Sequence, residues 1–217
     1  MGFVNNSVNG TDFSKIAPYY DFLQKLVFRQ QLQQAQSHFL DHIQDNSIVL
    51  VVGGGTGKIL HSILSNSTPQ SIIYVEKSAK MIELARSKFP EFKGIEYINE
   101  DVLEWNSNGR FDAIVLPFVM DVFSDDDAKL VLKKLGGLLK ENGQLIYTDF
   151  VNSGKDNRRA SILISTMYWF FKLTANLKTQ KLPNVDPTFN SLGFKIKAAQ
   201  KFCSGMVESR VYHKPLI

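Results

Sequence analysis

The segment Ser47-Ile48-Val49-Leu50-Val51-Val52 is continuously apolar and largely β-branched, stops at Gly53-Gly54-Gly55-Thr56-Gly57, and gives way to helical spacing from Lys58 to Ser65. A run that short, apolar at every position rather than at alternate ones, predicts a strand buried on both faces. That is the situation of a central strand in a parallel sheet with helices on either side. The chain then repeats the arrangement. Ser71–Val75 reads as a second strand, residues 78–88 as a helix with Met81, Ile82, Leu84 and Ala85 on its apolar side, Ile95–Ile98 as a third strand and residues 111–116 as a fourth. Residues 125–140 follow as a helix with Ser124 as N-cap, and an Asn142-Gly143 turn leads into a strand over 144–150. Five strands alternating with helices describe an α/β fold: an open, doubly wound, mostly parallel sheet. In such a sheet a ligand sits beyond the carboxyl ends of the strands, beside the first one. The glycine turn falls at that place.

On either side of this core the pattern changes. Residues 12–44 read as helix with a break at Pro18, carrying Leu23, Leu26, Val27, Phe39, Leu40 and Ile43 at helical spacing around a glutamine-rich stretch. Residues 156–177 read as a long helix whose apolar side chains, Ile162 to Phe171, spread over too wide an arc for one stripe. A connector runs through 182–187, and strand-like runs over 194–202 and 206–213 close the chain as an antiparallel pair around Gly205. No repeat or linker divides the chain, so one domain over 1–217 is expected: an N-terminal helical cap (1–45), a core with the glycine turn (46–150), and a helix plus C-terminal strands (151–217). The single cysteine, Cys203, gives no disulfide and no thiolate cluster, and no metal site is expected. The N-terminus lacks the regions of a signal peptide. The most apolar run, 160–171, has 12 residues, against about 20 for a bilayer span. A soluble, cytoplasmic protein is the expectation.

Three chemistries use a glycine turn after a first strand. A phosphate-binding loop needs a glycine five residues before Gly-Lys and a Ser or Thr after it; Val52 and Ile59 occupy those positions around Gly57-Lys58. The dinucleotide fingerprint needs a third small residue, and Lys58 or Leu60 stands there, depending on where the motif starts. What remains is Gly53-x-Gly55-x-Gly57 followed about 20 residues later by Glu76 at the end of the second strand, where a carboxylate can accept both hydroxyls of a ribose. Asp101 lies just after the third strand, where a carboxylate can accept from an adenine amino group.

Read together, Val49-Leu-Val-Val-Gly-Gly-Gly-Thr-Gly57, Ile73-Tyr-Val-Glu76-Lys-Ser-Ala-Lys-Met-Ile-Glu-Leu-Ala85, Asn99-Glu-Asp101-Val-Leu-Glu-Trp105, Phe111-Asp-Ala-Ile-Val-Leu-Pro-Phe118 and Leu138-Leu-Lys-Glu-Asn-Gly-Gln-Leu-Ile-Tyr-Thr-Asp149 resemble the class I S-adenosylmethionine-dependent methyltransferases. The resemblance covers roughly residues 45–150. It implies a Rossmann-like, seven-stranded sheet ending in an antiparallel hairpin, with S-adenosyl-L-methionine as cofactor. Position by position, it implies that the backbone of Gly53, Gly54, Gly55 and Gly57 lies against the methionine part of that cofactor. Glu76 would bind the ribose hydroxyls, and Asp101 with the Val102 amide would hold the adenine. Lys77 and Met81 would flank the adenine face, Pro117 with Leu116 would border the sulfonium, and Tyr20 precedes a helix that in the family often folds over the cofactor. Gly54 reads equally well as a residue that only relieves crowding. Val51 departs from the family, many members of which carry an acidic residue there. A weaker likeness, carried by Tyr168-Trp-Phe-Phe-Lys-Leu-Thr with Arg158-Arg159 before it and Lys181-Leu-Pro after it, is to the small-molecule branch related to quinone biosynthesis.

Methyl transfer from a sulfonium is an in-line displacement that needs an oriented, desolvated nucleophile and often no dedicated base. Asp121, just past the fourth strand, is the candidate base, with Asp149 behind it; both also fit as capping or orienting residues. His38, His42 and His61 read as packed or surface side chains. The signatures of amino-methylating, cytosine-methylating and cation-dependent catechol-type enzymes are absent, so a small, partly apolar acceptor is expected and nucleic acid is not. Residues 1–150 hold 14 basic and 18 acidic side chains, whereas 151–217 hold 11 and 3. That excess points to an anionic acceptor or to contact with an anionic membrane surface, with Arg158 and Arg159 as the contacts. The other readings are a cofactor-binding module without catalysis, an aminopropyltransferase-like enzyme and an RNA methyltransferase.

Overall fold

The computed structural model describes residues 29–90, 92–151 and 182–214. Its centre is a seven-stranded sheet built from β1 (Ile48–Val52), β2 (Ser71–Val75), β3 (Ile95–Ile98), β4 (Phe111–Pro117), β5 (Leu139–Phe150), β6 (Lys195–Phe202) and β7 (Val207–His213), in the order β3-β2-β1-β4-β5-β7-β6. The pairs among β1 to β5 are parallel, and β7 lies antiparallel between β5 and β6. Order reverses at β1, so the glycine turn sits at the switch point of the doubly wound sheet.

The helices follow from local chemistry. The described part of the N-terminal segment is helical over 29–37 (α1). Gly57, left-handed at φ 79°, opens α2 (Lys58–Asn66). The Ser78 hydroxyl accepts from the Met81 amide at the start of α3 (Ala79–Arg86). Ser124 does the same for Asp127 in α4 (Asp125–Leu138), where Asp125, Asp126 and Asp127 also complement the positive end of the helix dipole. Alternate residues of β1 enter opposite cores. Leu50 and Val52 pack with Val131, Leu132 and Leu135 of α4 and with Phe189. Val49 and Val51 pack with Ile59, Leu60 and Ile63 of α2, Ala85 of α3, and Leu40 and Ile43 beyond α1. Burial on both faces is what the continuous apolar run demands.

Three boundaries differ from expectation. The helix expected over 125–140 ends at Leu138, and β5 begins at Leu139 rather than at Gln144. The Asn142-Gly143 pair is a bulge within the strand: Phe111 pairs Leu139 but Ala113 already pairs Gln144, with Asn142 left-handed at φ 63°. The 182–187 connector stops early, because Pro187 supplies the helical φ that opens α5 (Asp186–Ser191). The helix expected to reach residue 44 breaks at His38 and Phe39 and finishes as the 3-10 turn Leu40–His42. The end of α1 is fixed to the sheet by hydroxyls: Ser209 on β7 donates to the Ala35 carbonyl, and Thr148 on β5 shares a 2.6 Å hydrogen bond with Ser209. The long helix expected over 156–177 lies outside the described residues.

Candidate cofactor and acceptor site

Three strand ends meet around Gly55. The loop after β1 is left-handed at Gly53, Gly55 and Gly57 (φ 69°, 60° and 79°), conformations that cost any other L-residue energy. Their surroundings differ. A side-chain carbon added at Gly53 would lie 2.3 Å from Val119, and one at Gly57 would lie 2.9 Å from the Ala85 backbone. Gly54 is crowded by Tyr74, whose hydroxyl oxygen would be 2.5 Å from the added carbon. At Gly55 no atom of the described residues lies within 4 Å. The loop is therefore packed from below at Gly53, Gly54 and Gly57 and open at Gly55.

Glu76, at the end of β2, is bound to that open residue: its Oε2 accepts from the Gly55 amide at 3.1 Å, and its Oε1 accepts from the Ser78 amide at 2.9 Å. Each oxygen keeps a lone pair for a further donor, which is what a ribose diol offers. Asn99, which the sequence reading passed over, donates its side-chain amide to the carbonyls of Glu76 and Lys77 at 3.0 and 2.8 Å and so joins the ends of β2 and β3. The Tyr74 hydroxyl donates to the Gly55 carbonyl at 2.8 Å. Tyr74 pairs in register with Val51, and both are fully buried in the same apolar cluster. An acidic side chain at 51 would enter that cluster, and the loop is instead steadied by a phenol from the neighbouring strand.

Asp101 opens a single helical turn after β3. Its Oδ1 accepts from the Leu103 amide at 3.0 Å, and its carbonyl accepts from Glu104 and Trp105. Its Oδ2 accepts from the Lys77 ammonium at 2.7 Å, so Lys77, expected to flank an adenine, is the ion-pair partner of Asp101. Burial disfavours the charged carboxylate, but the Lys77 ammonium, the Leu103 amide and the Lys134 charge outweigh it and hold Asp101 below its ordinary value. The Val102 side chain is buried, while its amide has no acceptor among the described residues. Met81 is 37% exposed on α3.

The ends of β4 and β5 carry a second cluster. Pro117, buried, closes β4, and Phe118 turns the chain in a left-handed conformation (φ 53°) while its amide donates to the Thr148 carbonyl. Asp149, 1% exposed, accepts from the Met120 amide on one oxygen and the Phe150 amide on the other, both at 2.8 Å. It thereby pins the 3-10 turn Met120–Val122 that carries Asp121. Asp121 is half-buried, with Oδ1 closed off from solvent and without a partner among the described residues. Burial pushes it up to about 7. Asp149 is pushed well above the carboxylate range, first by burial and then by the charge of Asp121.

Residues 49–143 match a family model described as "Methyltransferase domain". That match spans just under half of the chain and covers the strands and helices around the glycine turn. An uncharacterised methyltransferase of Bacillus thuringiensis (strain Al Hakam) is 22% identical over 174 residues, 76% of this chain and 80% of the relative. Among solved structures, the mitomycin 7-O-methyltransferase MmcR superposes with a TM-score of 0.65 at 17% identity; 95% of this chain is covered but only 61% of MmcR. The N-methyltransferase NodS from Bradyrhizobium japonicum WM9, in complex with S-adenosyl-L-homocysteine, gives a TM-score of 0.62 at 13% identity, covering 86% of this chain and 85% of NodS. The fold is that of the S-adenosylmethionine-dependent methyltransferases. Tyr20, Arg158, Arg159 and the aromatic run 168–171 lie outside the described residues. No described helix is long and apolar enough to cross a membrane, and no cluster of metal-ligating side chains occurs among the described residues.

Proposed function

We propose that this methyltransferase transfers the methyl group of S-adenosyl-L-methionine to a small, partly apolar acceptor, with Asp121 as the group that receives the acceptor's proton. The observation that carries the cofactor assignment is the junction at Gly55. An open, left-handed glycine offers its backbone to a ligand, and the carboxylate suited to the ribose is already tied to it. The Val102 amide, without an acceptor among the described residues, and Asp101 lie at the next strand end, where an adenine edge would be read. The cofactor, when bound, supplies an electrophilic methyl group on a sulfonium. The chain's own part is to hold the nucleophile in line and to take its proton at the Asp121 carboxylate.

A group raised to about 7 is a base of useful strength near neutral pH. It suits an acceptor hydroxyl or amine, both of which lose a proton as they are methylated. The relatives in this fold include both an O- and an N-methyltransferase, so the fold leaves the methylated atom to the acceptor. The finer placing in the branch related to quinone biosynthesis rests on Arg158, Arg159, residues 168–174 and Lys181-Leu-Pro, all but the last two of these residues lying outside those described. Calorimetric titration with S-adenosylhomocysteine tests the proposal. The protein is expected to bind it, and Glu76→Ala to weaken binding about tenfold or more, the worth of hydrogen bonds to a charged group. Absence of binding, or unchanged affinity in Glu76→Ala, would overturn it.

A further inference from the structure

The turn that presents Asp101 and the Val102 amide is held from outside by a residue of α4. The Lys134 ammonium donates to the carbonyls of Val102, Leu103 and Trp105 at 3.0, 2.7 and 2.7 Å. An ammonium has three donors and no acceptor, so these three bonds satisfy it completely. The turn is closed at its other end by Asp101 itself, through the Leu103 amide on Oδ1 and the Glu104 and Trp105 amides on its carbonyl. A single helical turn leaves its last carbonyls without partners, and a cation placed there serves both the hydrogen bonds and the dipole. Val102 and Trp105, each 5% exposed, anchor the turn in the same core as the apolar face of α4. The Lys134 charge also helps keep Asp101 ionised.

We propose that Lys134 is a positioning residue for cofactor recognition: by gathering the carbonyls of Val102, Leu103 and Trp105 it fixes the turn whose Asp101 carboxylate and Val102 amide select a 6-aminopurine. The proposal rests on the reading of Asp101 and Val102 as the adenine edge. Three carbonyls converging on one point suit a compact ammonium and not the planar fork of a guanidinium, so arginine is no substitute here.

The test is calorimetric titration of the full chain with S-adenosylhomocysteine and with S-inosylhomocysteine, which carries a 6-oxo group in place of the amino group. The wild type is expected to prefer the adenosyl ligand. Lys134→Met is expected to lose about tenfold in affinity for it, roughly one charge-assisted hydrogen bond, while the inosyl ligand changes less than about twofold. Lys134→Gln, which keeps two donors on a shorter arm and is milder for folding, is expected to fall between the two. Asp101→Ala in the Lys134→Met background is expected to add little to the lost preference, because the two residues act on one contact. An equal loss for both ligands would mark Lys134 as merely structural, and an unchanged preference would remove it from recognition altogether; either overturns the proposal. If Asp101→Ala alone leaves the preference intact, the adenine edge itself is misassigned and the role of Lys134 falls with it. If the wild type binds neither ligand, the cofactor reading fails first.

Discussion

Gly54→Ala places a methyl group 2.5 Å from both the hydroxyl oxygen and a ring carbon of Tyr74. The backbone at Gly54 lies outside the left-handed region, so alanine is acceptable there in φ, and the contact alone opposes it. Tyr74 cannot retreat, because it is fully buried and its hydroxyl is bonded to the Gly55 carbonyl. The cost is therefore at the upper end for overpacking a core, about 2–3 kcal/mol. Tyr74→Val removes the obstacle along with the ring and its hydrogen bond, at about 3 kcal/mol. In that background the three closest contacts of the added methyl group are gone, so the double variant should be about as stable as Tyr74→Val alone, a coupling of about 2 kcal/mol. Urea melts of the four proteins measure this through midpoints at constant slope. Gly55→Ala gives the opposite profile. With no described residue within 4 Å and φ at 60°, it costs about 1–2 kcal/mol of backbone strain, but its methyl group occupies the space assigned to the cofactor, and affinity for S-adenosylhomocysteine should fall about tenfold or more. If Gly54→Ala is as costly without the Tyr74 ring as with it, or if Gly55→Ala binds normally, the division of this loop into packed and ligand-facing glycines is wrong.

The acid pair predicts an unusual pH profile. Because Asp121 titrates at about 7 in the folded state and near the ordinary value when unfolded, the folded protein holds more protons between about pH 4 and 7. The Asp121 contribution should make stability fall through that window, by up to about 1.4 kcal/mol per pH unit. Asp149 acts with the same sign. Asp121→Asn should flatten the slope in urea melts at pH 5 and 7.5 and abolish the rise of turnover near neutrality; a slope identical to wild type would exclude Asp121 as the titrating group. Val51→Glu, which installs the acidic residue that many members of the family carry, should cost about 3 kcal/mol or more by placing a carboxylate in the apolar cluster around Tyr74. An affinity for S-adenosylhomocysteine improved by Val51→Glu would show that the Tyr74 hydroxyl does not serve in its place.

The strands and the cofactor side were legible because each rests on a local signal. An apolar run means burial on both faces, and Ser71–Val75 and Ile95–Ile98 occur as read. Positive φ selects glycine, and Gly53, Gly55 and Gly57 all adopt it. What escaped depends on distant partners. Gly54 is explained only by Tyr74, 20 positions later, and Asn99 and Lys134 act through backbone carbonyls that a sequence does not display. Lys134 left one trace: it shares the α4 line with Val131 and Leu138, so an ammonium there stands at the edge of a buried stripe. The bulge at 140–143 was hidden because Asn-Gly is a strong turn signal, and a left-handed Asn142 satisfies it inside a strand as well as between elements.

The basic excess of the last third reads differently once its described members are placed. Lys195, Lys197 and Lys201 stand exposed on β6, the terminal strand of the sheet. An open row of backbone donors and acceptors invites pairing with another chain, and lysines along it oppose that. Arg210 is spent inside the protein. Its guanidinium donates to Glu208 at 2.7 Å, to the Tyr212 hydroxyl at 2.8 Å and to Asp186, which joins α5 to β7. These four cations therefore protect an edge and bind two elements together, and neither task requires an anionic acceptor. The expectation of one now rests on Lys214 and on the cations of 155–181, Arg158 and Arg159 among them. Neutralising the β6 lysines should accordingly promote self-association in sedimentation velocity while leaving acceptor affinity unchanged; a loss of acceptor affinity would return the edge to the binding site.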